Sequence, residues 1–240
     1  MSMQAPARSP RYDRAFDRLT AEYPVQPGAA TYTASGVYDK VGLLVLLTLI
    51  TGTYSYFANN AGLILLGILA GLAFSLIGMF KPSTAKFMAP LYALAEGLAL
   101  GGITAYYASA TGGSGIVPMA IIFTGGIFLG ALVIFRSGLV KVTQRFVGMA
   151  MMAAFGFLAV MLAVWIGLPI PGLSGSGGLA LMGVFGVAIG VMFLFIDFNY
   201  VQESERRQMP AEGEWLGALM LMTSLVFVYI NVLRILGRRR

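Results

Sequence analysis

Apolar residues run along this chain in long blocks, and the polar residues gather between the blocks. A helix crosses the hydrocarbon core of a bilayer with about 20 apolar residues. Residues 41–80 carry no charge at all, a length that suits two spans. Asn59-Asn60 followed by Ala61-Gly62 is the natural turn between them. The pattern therefore predicts helices over 39–58 and 62–80. Lys81-Pro82 stops the second, because proline opposes continuation and lysine favours the headgroups. Five more spans follow, over 88–109, 116–135, 146–167, 179–200 and 214–237. Between them lie the Gly/Ser turn 109–115, a basic loop after Arg136, the uncharged Pro/Gly/Ser loop 168–178 and the charged loop 202–213. The expected fold is all-α: a polytopic membrane protein with seven transmembrane helices in one domain, residues 38–240. Residues 1–37 are polar and are expected to form a mostly disordered cytoplasmic tail, with a short surface helix near 11–22. They lack the apolar core of a secretory signal.

Composition sharpens this. Hydrophobic residues make up 58% of the 240 and charged residues only 11%, where a soluble domain carries about 25%. Cysteine and histidine are both absent. That removes disulfides, thiol catalysis, histidine triads and the usual zinc sites. No cofactor and no enzymatic activity is expected. Placing the N-terminus in the cytoplasm puts twelve of the 16 lysines and arginines on the inner side. The cost is a basic C-terminus outside, unless the seventh helix is short or re-entrant. The basic residues follow the membrane sides, so the expected contact is lipid and no nucleic acid.

Ionisable groups inside a membrane are costly and usually face protein or a water cavity. Past the opening residues of the predicted spans, three remain: Glu96 in the third helix, Asp197 in the last turn or so of the sixth, and Arg234 near the end of the seventh. Both acids fall in the inner half, where they could line one cavity. A desolvated carboxylate titrates nearer neutral pH, a route to proton sensing without histidine. Oxygen ligands also suit calcium, so Asp197 and Glu96 are the candidate metal residues. Lys81, on the same side, is a candidate latch for Asp197 or an ordinary headgroup anchor. Ser224, Asn231 and Arg234 share one face of the seventh helix, either lining an interior path or gluing helices together. GxxxG spacings at Gly67/Gly71, Gly97/Gly101, Gly126/Gly130 and Gly186/Gly190 predict close helix contacts. The seventh helix holds no lysine, which removes a retinal Schiff base. No internal repeat supports a secondary transporter.

The segments ALAEGLALGG (93–102), FLFIDFNYVQ (193–202) and VFVYINVLRILG (226–237) resemble the transmembrane Bax inhibitor motif family, and its bacterial YccA-like branch most closely. The resemblance spans about residues 38–237. It implies two three-helix layers around a central C-terminal helix, in a bacterial inner membrane. It also implies a pH-sensitive calcium leak. In such relatives two aspartates, on helices six and seven, share protons and link to an arginine near the end of helix two. Carried over, the first aspartate is Asp197 and the basic group is Lys81. The second aspartate falls on Ser224, so this chain lacks the diacid. The expectation is then that Glu96 supplies the second carboxylate and that ionised Asp197 pairs with Lys81 to hold the closed state. The alternative is a non-transporting protein that binds membrane partners, such as a protease, through its tail and residues 203–214.

Overall fold

A computed structural model describes residues 30–58, 60–111, 113, 115–168, 170 and 176–237. The surface helix expected near 11–22 lies outside them. Seven long helices follow in order: α1 (Ala34–Ala58), α2 (Ala61–Phe80), α3 (Ala85–Thr111), α4 (Ile116–Arg136), α5 (Gln144–Trp165), α6 (Ser176–Arg206) and α7 (Glu214–Leu236). All seven are long and apolar enough to cross a membrane. Single helical turns at Pro82–Thr84 and Ala211–Gly213 precede α3 and α7.

The boundaries follow from local chemistry. Asn60 caps α2, its side chain accepting from the Gly62 N–H at 2.8 Å. Thr143 does the same for α5 through Phe146 at 3.2 Å. Each satisfies one of the orphan N–H groups of a first turn. Two boundaries differ from expectation. Residues 34–37, counted with the tail, already belong to α1. At the other end, α6 runs six residues past the predicted limit to Arg206. Its charged end reads as loop, but Arg207 Nε donates to Glu203 Oε1 at 2.7 Å, an i,i+4 pair that suits a helix. α7 is neither short nor re-entrant: its 23 residues extend about 34 Å.

Helices α1, α2 and α3 form one layer and α4, α5 and α6 the other, with α7 between them. No residue from Gly213 to Gly237 is exposed, as befits a helix with protein on every side. α5 is the opposite case. Little of it is buried, and Met149, Met152, Phe155 and Leu158 face outward.

Three of the four GxxxG pairs are close contacts. A Cβ on Gly67 would meet Ala99 N at 2.5 Å, and one on Gly97 would meet Thr48 O at 2.6 Å. Gly186 and Gly190 lie against Asn231 and Val228 of α7. Gly126 and Gly130 have open space beside them, so on α4 the same spacing makes no helix contact.

Candidate functional site

Asp197 sits in a stripe of α6 at helical spacing: Gly186, Gly190, Leu194, Asp197, Val201 and Ser204, all buried. An aspartate takes the place of an apolar residue on the face that meets α7 and α1. The neighbouring positions hold α6 in that rotation. Phe198 packs edge-on against Phe128 and beside Phe135, both of α4. Phe195 meets Phe146 of α5. Because α6 continues to Arg206, Asp197 is nine residues, about 13 Å, from its end. It lies deeper than the last turn where it was expected. It is 6% exposed and does not reach the headgroups. Its partner comes from the central helix: Ser224 Oγ donates to Asp197 Oδ2 at 2.5 Å.

Glu96 is half-buried elsewhere. It lies between α3 and α2, beside Gly71, where a Cβ would meet Glu96 Oε1 at 2.7 Å. The Tyr92 hydroxyl reaches both Glu96 and Thr223 of α7. The two acids thus address adjacent positions of α7, 223 through a tyrosine and 224 directly. Adjacent helical positions point about 100° apart, and α3 and α6 do not pack on one another, because α7 lies between them. Among the described residues no contact joins Glu96 to Asp197: Glu96 turns to Tyr92 and Asp197 to Ser224. Nor does any group of three acids gather among those residues.

Lys81 is not joined to Asp197 either. It is exposed at the end of α2, and the turn that follows it touches the turn at Ala211–Gly213. The expected latch is absent because α2 and α6 stand on opposite sides of α7. The polar face of α7 is packed: Ser224 on Asp197, Asn231 against Gly186, and Arg234 donating to Asn231 Oδ1 at 2.8 Å. Arg234 also lies over the Phe157 ring of α5 at 5.8 Å. In this conformation the face is glue between helices.

Sequence reasoning missed a second cluster, at the end of the bundle that carries Lys40, Lys81 and Arg136. Glu214, the first residue of α7, is 4% exposed. Its Oε2 accepts from Lys40 Nζ at 2.6 Å. Its Oε1 accepts from Thr33 N at 2.8 Å and Thr33 Oγ1 at 3.0 Å. Thr33 Oγ1 in turn accepts from Gly36 N at 3.1 Å, capping α1. Glu205 accepts from Ala34 N at 2.8 Å. Carboxylates from α6 and α7 thus serve the positive end of the α1 dipole. A polar N-terminal stretch and a lone glutamate opening an apolar block were the signals available.

The family model described as Bax inhibitor 1 like matches residues 9–240, taking in much of the N-terminal segment as well as all seven helices. No curated protein matches the chain.

Proposed function

Since the chain belongs to the Bax inhibitor 1 like family, we propose that it is a pH-responsive leak pathway for cations, calcium foremost, with Asp197 as the titrating element. The observation that carries this reading is the buried Asp197–Ser224 pair in the α6–α7 seam. Burying a charge is costly unless it is paired. Ionising Asp197 here sets one negative charge against one neutral hydroxyl, with no base from α2 to offset it. Water or a cation entering the seam relieves that charge, so ionisation favours opening and protonation favours the packed state. This reverses the sign that a Lys81 latch would give. The excess of basic residues supports a cytoplasmic side for the end bearing Lys40, Lys81 and Arg136, and the resemblance to the bacterial branch supports an inner membrane. No catalytic role is assigned.

The test is calcium flux into proteoliposomes across pH 5–8. Wild type is expected to conduct more as pH rises. If it carries no flux at any pH, the leak reading falls, and binding of membrane partners through the polar loops takes its place.

Ser224→Ala adds a second check. A hydrogen bond to a charged group is worth about 1.5–3 kcal/mol, equivalent to about one to two pH units. The donor supports the ionised form, so its loss moves the flux midpoint to higher pH by about that amount. A midpoint that stays put would show that Ser224 does not act on the charged carboxylate.

A further inference from the structure

The segment just before α1 crosses the basic end of the bundle and lies across the α6–α7 connection. Tyr32 N donates to Met209 O at 2.7 Å, and Ala211 N donates to Ala30 O at 3.0 Å. Thr31 and Pro210 form an antiparallel bridge between these bonds. The bridge places Tyr32, 2% exposed, between the ends of α6 and α7. Its ring lies 3.6 Å from where a Cβ on Gly213 would be, and its hydroxyl is against Gly217. That hydroxyl converges with those of Tyr200 and Ser204 on α6. Burial is the main cause that pushes the Tyr32 phenol up from its ordinary value, with Tyr200 and Glu214 adding to it.

Asp197 is one turn deeper than Val201, which also flanks Gly217, and Ser224 is two turns past Gly217. Tyr32 therefore covers the seam about 5–10 Å from the Asp197–Ser224 pair. We propose that residues 30–33 form a releasable plug over this seam, with Tyr32 as the stopper and Glu214 as the clasp that holds it.

One feature makes the plug releasable. The clasp depends on a single carboxylate, which receives Thr33 twice and Lys40 once. Losing that charge leaves Lys40 unpaired and loosens the segment that carries Tyr32. The consequence for ion flow rests on the leak reading; the plug itself stands without it.

The chain has no cysteine, so an introduced thiol is the one reactive group. Ser204 is fully buried beneath Tyr32, and Ser204→Cys serves as a reporter for an impermeant thiol reagent applied at the basic end. With Tyr32→Ala or Glu214→Gln added, labelling is expected to accelerate by about tenfold or more, as opening of a local unit exposes what it covered. An unchanged rate in both overturns the plug.

A second measurement uses one folded molecule and needs no destabilising change. Cα atoms in such a bridge are about 4.5 Å apart, within disulfide reach. In Thr31→Cys/Pro210→Cys, oxidation is expected to suppress flux and reduction to restore it. Equal flux in the two states overturns the plug. Faster Ser204→Cys labelling with no flux in any variant upholds the plug and sinks the leak reading, so the two fail separately.

Discussion

Asp197→Asn is expected to abolish the pH dependence of calcium flux and to hold it near the low level that wild type shows at pH 5. Asparagine keeps the size of the side chain and a hydrogen bond to Ser224, so the seam remains packed. It cannot acquire the charge that draws water or a cation between α6 and α7. The shape of the wild-type curve is as informative as its loss. One acid faces Ser224 in the seam, and Glu96 stands on another side of α7. A single proton then controls opening, and flux rises by no more than about tenfold per pH unit. A coupled pair of carboxylates would titrate in two steps. A two-step or steeper wild-type profile would overturn the single-acid account. A mutant that keeps the full pH response would remove Asp197 from it altogether.

Gly97→Leu is expected to be the most damaging single change to stability. A Cβ at Gly97 meets backbone atoms of α1, Thr48 O at 2.6 Å and Gly52 N at 3.0 Å. Backbone cannot rotate away as a side chain can, so α1 and α3 must separate. Overpacking costs about 1–3 kcal/mol and sometimes more. For a chain of this size the upper figure lowers Tm by about 6–12 °C. The control is Gly126→Leu, where nothing lies within 4 Å and Tm is expected to hold within about 2 °C. Thermal unfolding in detergent compares the two. Equal losses would mean that the close approach of α1 to α3 is not what these glycines serve.

The seven spans were legible because each is an apolar block bounded by polar residues, a pattern set by the bilayer itself. The helix ends were less so. Glu203 and Arg207 look like loop residues one at a time; they stabilise a helix as a pair. The GxxxG spacing marked tight contacts at three sites but could not tell that Gly126 and Gly130 face away from protein, since spacing does not reveal which face is covered. Asp197 was legible from its cost alone. Its partner was not, because the choice among Glu96, Lys81 and Ser224 depends on which helices α7 keeps apart. The Glu214 cluster was the hardest to read: Thr33 and Glu214 are 181 positions apart, and nothing local to either announces the other.

The helix at the centre of this bundle is made after the six that surround it. During synthesis α1 to α6 enter the membrane before the element that fills the space between them. Lys40 emerges 174 residues ahead of Glu214, which at about 5–20 residues per second is a wait of about 10–35 seconds. Until then Asp197 lacks Ser224, the glycine stripe of α6 has no backbone to meet, and Tyr32 has nowhere to seat. Closure of the basic end therefore records arrival of α7. A chain stalled before α7 lacks both the Glu214 clasp for Lys40 and the Ser224 partner of Asp197.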